Sequence, residues 1–337
     1  MRRSLTARGL LEICGILILG GLIVLRTVPV LADQIQATVG AQSGDKGRQA
    51  LAFLPNELWV HAGDSVTWAF PTDEPHTVTF LGATLRPPFP VGCPPGPPPG
   101  TTPSGSSVPA TPCVNSGILL GGPTYTVMFP TPGNFKLVCL LHTNMTGVVH
   151  VLNASQPLPH DQAFYDQQGA QQAVDLLADA SGLQGRGVAI AQQTSRNEVT
   201  AGIGEIVATG GGSQTASVMR FLQGRIVVHV GDTVEFTNLD PVTPHTVTFG
   251  AEPLNPVPPS LGVTTDSDGA LSATLGSPSD STNSGLLVAS SQDQLFAPQS
   301  PLTPTRFRVT FSKPGTYDFI CALHDDLGMT GRVIVNK

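Results

Sequence analysis

The chain has 337 residues, a formal net charge of −7 at neutral pH and only 12% charged residues, with 37 Gly and 31 Pro. It carries no basic stripe that could neutralise phosphates, so we do not expect a nucleic acid partner. The length allows two domains with real cores, and abundant Val, Thr, Gly and Pro predict β-structure with long loops.

Residues 1–32 have the pattern of an export signal. Arg2 and Arg3 precede an uninterrupted apolar run at 13–25, and Val30 and Ala32 stand at the −3 and −1 positions of a cleavage site. The run is shorter than the ~20 residues of a membrane span, so we predict a cleaved signal and no transmembrane segment afterwards. The protein would then be periplasmic or extracellular. The sequence leaves open an uncleaved anchor on the outer face of the membrane, and export by the twin-arginine or the general route.

Four sequence blocks occur twice, in the same order. Seven of sixteen positions are identical between the first pair of blocks, and "PHTVTF" is repeated without a change. Both copies end with Met-Thr-Gly and an alternating Val-rich segment. The chain is therefore an internal duplication in which each copy is expected to be a complete domain. The paired blocks are 53–68 with 221–236, 75–80 with 244–249, and 129–142 with 311–324, followed by the closing segments.

Apolar residues within each block alternate with a period of two. Leu58, Val60, Val66 and Trp68 are expected to point to one side, with a Gly-Asp turn between two strands. Many short strands joined by turns predict an all-β chain with one antiparallel β-sandwich per domain.

We place domain 1 at 33–153, a linker at 154–197 and domain 2 at 198–337. The linker spaces Phe164, Val174 and Leu177 at roughly helical intervals among alanines, which predicts one amphipathic helix packed on one or both domains.

Each domain has a long insertion between its conserved His and its Cys. The first, at 86–112, is rich in Pro, Gly, Ser and Thr, with Cys93 and Cys113 near its ends. In an exported protein these two cysteines are expected to form a disulfide. The second insertion, at 251–301, has no cysteine, so it must be held by packing or move.

The repeated phrases "CLLHTNMTG" and "CALHDDLGMTG" carry the chemistry. Each offers a thiolate, an imidazole and a thioether on one loop, and a second imidazole comes from "PHTVTF". Cys, two His and a weak Met form the ligand set of a blue copper centre. The predicted ligands are His76, Cys139, His142 and Met145 for one copper and His245, Cys321, His324 and Met329 for the other.

With these motifs, both halves resemble cupredoxins, the plastocyanin/amicyanin/azurin superfamily. The resemblance implies two Greek-key β-sandwiches, each with a type 1 copper held by the residues above. The Cys–His–Met spacing is similar to that of amicyanin in domain 1 and to that of plastocyanin in domain 2. Thr77 and Thr246 stand where family members often have Asn, and we expect their backbone amides to keep the contact with the Cys sulfur. Asn238 loosely matches the Asn that often precedes the first His in the family.

The resemblance implies an exported electron-transfer protein and not an enzyme. Its partner would be another redox protein, such as a c-type cytochrome or a membrane-bound oxidoreductase. The alternatives are a copper-dependent oxidoreductase similar to nitrite reductases or multicopper oxidases, and a copper storage or scaffold protein. The oxidoreductases need extra histidines, as His-x-His pairs or beside the blue-copper Cys, and the sequence has neither.

Overall fold

The structure is a computed structural model, and it describes residues 32–83, 86, 101–109, 113–194, 197–289 and 304–337. The predicted export signal, apart from Ala32, lies outside the described residues. None of the helical structure in the described part of the chain is both long and apolar enough to cross a membrane.

The first half of the described chain is built from short strands, as the alternating sequence predicts. We call this half domain 1. Its strands are β1 (Gln34–Gln42), β2 (Arg48–Leu54), β3 (Glu57–His61), β4 (Ser65–Ala69), β5 (Thr79–Phe80), β6 (Ser106–Ser107), β7 (Val114–Asn115), β8 (Thr124–Met128), β9 (Gly133–Val138) and β10 (Thr146–Leu152).

A helix, α1 (Gln162–Thr194), connects this half to the second, which we call domain 2. The strands of domain 2 are β11 (Glu198–Thr209), β12 (Gly212–Leu222), β13 (Arg225–His229), β14 (Thr233–Leu239), β15 (Thr248–Phe249), β16 (Thr264–Thr265), β17 (Leu271–Leu275), β18 (Thr282–Asn283), β19 (Arg306–Phe311), β20 (Gly315–Ile320) and β21 (Thr330–Asn336).

Each domain is a sandwich of two sheets. One five-stranded sheet, β3-β10-β9-β5-β7, belongs to domain 1, and another, β13-β21-β20-β15-β18, belongs to domain 2. The facing layer is shared, because a single sheet runs through both domains in the order β16-β17-β19-β14-β11-β12-β2-β1-β4-β8-β6. The predicted fold class, two cupredoxin-like sandwiches with a helix between them, is confirmed. The predicted antiparallel arrangement is wrong in part, because β1 pairs parallel with β4 and β13 pairs parallel with β21.

The repeated Gly-Asp pair makes the turn that leads from one sheet to the other. Leu58 and Val60 of β3 and Trp68 of β4 are buried on the inner face, as the period of two predicts. Gly63 turns the chain with φ +104°, a conformation that favours glycine. Asp64 then accepts a hydrogen bond from the His61 backbone at 2.8 Å, and the second copy repeats this contact.

The two domains join edge to edge. Strands β2 and β12 pair antiparallel, with Ala50 opposite Ala216, and both side chains are fully buried. The described residues from 32 to 337 therefore form one compact unit. Because the seam is lined by alanines, its surface is smooth enough for a helix to lie across it.

Helix α1 lies over this seam and buries Leu176, Ala180 and Leu183 with residues of both domains. The prediction that it packs on one or both domains is confirmed. The predicted apolar face is wrong in part, since Phe164 and Val174 are exposed. The buried face combines large residues with small ones, since Leu176 and Leu183 are buried together with Ala180 and two glycines, Gly169 and Gly187.

The two insertions contribute strands to the shared sheet. The first supplies β6, and the second supplies β16 and β17, whose Leu271 and Leu275 are buried. Packing thus holds this part of the second insertion. Cys113 is buried. Cys93 lies outside the described residues, so the disulfide stays a prediction.

Candidate metal centres

The domain 1 centre gathers side chains from distant parts of the sandwich. His76 follows β4 and pairs its backbone with Leu119. Cys139 directly follows β9, and Met145 directly precedes β10, with His142 in the loop between them. His142 Nδ1 lies 3.1 Å from His76 Nδ1 and 3.6 Å from Cys139 Sγ. No side chain of the four is more than 2% exposed, so bulk water has no access.

Domain 2 repeats this arrangement. His245 pairs its backbone with Leu287, and Cys321 and Met329 flank the loop between β20 and β21. His324 Nδ1 lies 3.1 Å from His245 Nδ1 and 3.3 Å from Cys321 Sγ. His245 Nδ1 is 3.8 Å from the same sulfur. The donor atoms of each His–Cys–His set lie within 4.8 Å of one another.

These distances fit a metal ion. Two nitrogens about 2.0 Å from a tetrahedral metal lie ~3.3 Å apart, and such a nitrogen and a thiolate sulfur at about 2.3 Å lie ~3.5 Å apart. In each domain, both histidine rings turn Nδ1 toward the point between them and the cysteine sulfur. A thiolate with two imidazoles is a donor set that suits copper. The structure thus brings the predicted His and Cys residues together. Met145 and Met329 are fully buried at the ends of the same loops. As ligands, all eight residues remain predictions.

The backbone amide contact with each sulfur is present in both domains. Thr77 N–H donates to Cys139 Sγ at 3.4 Å, and Thr246 N–H donates to Cys321 Sγ at 3.3 Å. The threonine hydroxyls add a second contact, because each accepts a hydrogen bond from the backbone N–H that follows the cysteine, at 2.8 Å. The two threonines therefore fix both the sulfur and the start of the ligand loop.

The ligand loops close in the same way despite their different lengths. In both domains the cysteine N–H donates to the methionine carbonyl at 3.0 Å. The extra residues of domain 2 form an additional turn, in which Gly328 N–H donates to Asp325 O at 2.7 Å. Gly328 has φ +88°, which favours glycine at this position. The longer spacing thus enlarges the loop, while the methionine carbonyl keeps the same hydrogen bond to the cysteine N–H as in the shorter loop.

Two partly buried arginines that sequence reasoning missed hold these loops. In domain 1, the Arg86 guanidinium donates to the carbonyls of Cys139 and Thr143. In domain 2, Arg220 donates to the carbonyl of Leu327 at 2.7 Å and also contacts the backbone of Asp45 in domain 1. Isolated arginines in a loop and a strand give no motif, so only the folded chain reveals these contacts.

A carboxylate missed by sequence reasoning also touches the centre. Glu74, two residues before His76, lies with its Oε1 3.0 Å from His142 Nε2 and is only 2% exposed. Burial alone would raise the pKa of Glu74. The positive charges of His324 and His142 and the hydrogen bond from His142 outweigh that cost and hold the pKa below its ordinary value. The group is therefore an anion at neutral pH.

The electrostatics of each centre favour a thiolate before any metal arrives. Burial would raise the pKa of Cys139, but the charge and hydrogen bond of His142 hold it well below the ordinary thiol value. Burial would lower the pKa of His142, but the Cys139 thiolate raises it to about 10. The same effects lower the pKa of Cys321 and raise that of His324 to about 9. A thiolate is the form of cysteine that binds metals.

Comparison with known proteins gives the same picture. The family model for copper binding proteins of the plastocyanin/azurin family matches residues 39–152 and 207–336. Among solved structures, the chain is similar to oxidised plastocyanin from Dryopteris crassirhizoma, with 22% identity over 41% of this chain and 99% of that one, and a TM-score of 0.22. It is also similar to an amicyanin variant in its reduced state, with 19% identity over 35% of this chain and 82% of that one, and a TM-score of 0.24. A comparison with curated protein sequences gave no match.

The family matches cover more than half of the chain, and each contains one complete His–Cys–His set. Copper is the metal of this family, and the chain has one such set for it in each domain. The chain therefore belongs to the plastocyanin/azurin family of copper-binding proteins and carries the family's domain twice.

Proposed function

We propose that this chain is an exported blue copper electron-transfer protein with one mononuclear type 1 copper in each domain. The observation that carries the proposal is the pair of buried His–Cys–His sets, each with a backbone amide on the sulfur and a buried methionine closing the loop. When bound, copper would supply a one-electron couple. The rigid loop around each site would limit rearrangement between its two oxidation states.

Export and a redox partner are part of the same proposal. The signal-like residues 1–32 support a periplasmic or extracellular location, and the family supports another redox protein as partner. The ligand rings are almost completely buried, with His142 at 2% and His324 at 4% exposure. A partner would therefore exchange electrons through the protein shell over each site and not by touching a ring.

A copper-dependent oxidoreductase remains the alternative. Such an enzyme needs a further metal at which a substrate can bind. Within the described residues, the His, Cys, Asp and Glu groups close enough to hold a metal are the two sets already described. This supports electron transfer over catalysis.

The visible spectrum, electron paramagnetic resonance spectrum and copper content of the purified mature protein test the proposal. We expect two coppers per chain, both with the intense thiolate-to-copper absorption and the narrow hyperfine splitting of type 1 sites. A colourless protein, or a third copper with a normal hyperfine splitting, would contradict it.

A further inference from the structure

The two candidate copper sites face each other across a single carboxylate. Glu74 Oε1 accepts a hydrogen bond from His142 Nε2 at 3.0 Å, and Glu74 Oε2 lies 3.6 Å from His324 Nε2. The carboxylate and both rings are at least 96% buried. Residues beside the domain 2 site, Val242 and Leu327, belong to the same buried cluster as Cys139. One anionic side chain from domain 1 thus lies between ligand rings of both domains.

The carboxylate meets each ring at the nitrogen that the metal does not need. Nδ1 of His142 and of His324 points to its own cysteine sulfur, whereas Nε2 of each ring points to Glu74. A proton held on Nε2 leaves the Nδ1 lone pair free for a metal. A carboxylate on the outer nitrogen of a ligating histidine fixes the ring and makes it a stronger donor. Glu74 is placed to do this for both sites.

Nothing else in the described structure satisfies the second oxygen. Glu74 Oε2 is buried and has no hydrogen-bond partner, and His324 Nε2 lies 3.6 Å from it. A buried carboxylate without compensation is costly. A closer approach of a few tenths of an ångström would complete a hydrogen bond to His324. Both rings are therefore needed to offset the cost of burying the Glu74 carboxylate.

The arrangement is not a relic of the duplication. The position directly before the Pro-His pair is Glu74 in domain 1 and Thr243 in domain 2. Thr243 is buried, and its hydroxyl has no hydrogen-bond partner. Domain 2 therefore has no carboxylate of its own at this position, and domain 1 supplies one for both.

We propose that Glu74 is a positioning residue shared by the two copper sites, and that it couples them. It orients His142 and His324 together, and its negative charge stabilises the more highly charged copper ion at either site. A change of metal content at one site then alters the hydrogen bonding available to the other. This inference rests on the proposed function, because it concerns how copper is held.

The test replaces Glu74 with Gln and compares it with a matched control. Glu57→Gln makes the same change in domain 1, where Glu57 also lies 3.1 Å from a histidine Nε2, that of His150, which is not a predicted copper ligand. In Glu74→Gln we expect the ratio of Cu(II) to Cu(I) binding constants to fall at both sites, about a hundredfold in domain 1 and about tenfold in domain 2, which raises the potentials by ~118 mV and ~59 mV. Glu57→Gln should leave both unchanged. A shift at one site only, or at neither, overturns the proposal.

A second readout needs no copper. In the metal-free protein, nitrogen-15 NMR should show the Nε2 signals of both His142 and His324 moving in Glu74→Gln, and neither moving in Glu57→Gln. If wild type binds no copper, the proposed function fails, while this comparison still tests whether one carboxylate serves both rings. A signal that moves for one ring alone means that Glu74 belongs to a single site.

If Glu74→Gln does not fold, a variant that keeps Glu74 replaces it. Cys139→Ser leaves only the domain 2 site for copper, and Cu(I) is diamagnetic, so the NMR signals stay sharp. Binding of Cu(I) in domain 2 should then move the His142 Nε2 signal in domain 1. A His142 signal that does not respond overturns the coupling.

Discussion

The two domains hold the same donor atoms in nearly the same way and differ in what surrounds them. In both, the ring nitrogens lie 3.1 Å apart, and a threonine amide donates to the sulfur. Around these atoms, domain 1 has a short ligand loop and a buried carboxylate, whereas domain 2 has a longer loop and a threonine at the matching position. After the duplication, the donors stayed alike, and the loop and the local charge diverged.

The same difference is seen before the first histidine. In domain 2, the Asn238 side chain donates to the carbonyls of Thr243 and Leu287 and so fixes the chain on both sides of the site. Domain 1 has Phe70 at the corresponding point and is fixed instead by Thr72, whose hydroxyl donates to the Glu74 carbonyl at 2.9 Å. One backbone path is thus held by two different sets of hydrogen bonds. Replacing one of the His or Cys donors should therefore abolish copper binding at that site. Replacing a residue around the donors should alter only the stability or the reduction potential of the site.

The largest effect is expected from removing one thiolate. Cys139→Ser should lose the copper of domain 1, and Cys321→Ser that of domain 2, because serine is a poor ligand for either oxidation state of copper. Each variant should keep one copper and about half of the intense absorption. Copper analysis and the visible spectrum measure this. If one substitution bleached both sites, the two domains would share a single centre.

The next effect concerns the glycines that lie against the outer nitrogens of His76 and His245. Gly40 and Gly202 have φ +74° and +80°. A Cβ at Gly40 would lie 2.7 Å from His76 Nε2, and one at Gly202 would overlap His245 Nε2 more severely. We expect Gly202→Ala to lower the free energy of unfolding by about 2–4 kcal/mol and Gly40→Ala by about 1 kcal/mol less.

Urea unfolding of the metal-free protein measures this pair. Gly44→Ala is the control, because its added Cβ would meet nothing within 4 Å and its φ is not positive. Equal losses for Gly40→Ala and Gly202→Ala would mean that the two backbones relax alike around their first histidines.

A smaller effect is the difference between the two reduction potentials. Glu74 is closer to His142, at 3.0 Å, than to His324, at 3.6 Å, so its charge should stabilise Cu(II) more in domain 1. We expect the reduction potential of domain 1 to be lower than that of domain 2 by ~59 mV. This difference corresponds to a roughly tenfold preference of the electron for domain 2. Electrons would then pass from domain 1 to domain 2. Redox titration of Cys321→Ser and Cys139→Ser measures each site alone, and indistinguishable potentials would remove the argument for directional transfer.

The smallest effect concerns acid. In domain 2, hydrogen bonds from Ser272 and Arg308 lower the pKa of Asp266, and a hydrogen bond from Arg308 lowers that of Asp268. Because these folded-state pKa values are depressed, the stability they add is present above the ordinary value of 3.8 and is lost as the pH falls through the folded values. Asp268 is exposed and Asp266 is half-exposed, so solvent screens the effect. Melting temperatures between pH 5 and 2 should fall less steeply in Asp268→Asn than in wild type, and parallel curves would show no contribution from this network.

Much of the fold was predictable because the same sequence blocks occur in both halves of the chain. The alternation around Trp68 fixed which residues are buried, and the repeated Gly-Asp pair marked the turn. The apolar face of α1 was not predictable, since Ala180 is buried for its small size against other alanines, while the larger Val174 stays in solvent. A hydrophobic pattern reports the size and polarity of single residues. Burial of a helix residue against the seam depends instead on how closely its side chain fits the alanines of β2 and β12.

The site shows the same limit. The donors at Cys139 and Cys321 were found from sequence because each carries its metal-ligand spacing along the chain. Glu74 was not found, because its second neighbour, His324, is in the other domain and comes near only when β2 pairs with β12. A contact made by docking two domains leaves no local pattern.

The two insertions supply the strands at the outer edges of the eleven-stranded sheet. Within the part of the chain that the structure describes, the sheet ends in β6 on one side and β16 on the other, each two residues long, and each comes from an insertion. A long open edge recruits strands from neighbouring molecules and leads to aggregation, whereas a very short edge strand offers too few backbone groups to do so. Joining two sandwiches through β2 and β12 hides their inner edges but leaves a wide sheet with two outer ones. The proline-rich and serine-rich segments blunt those outer edges, which would let an unusually wide sheet remain soluble.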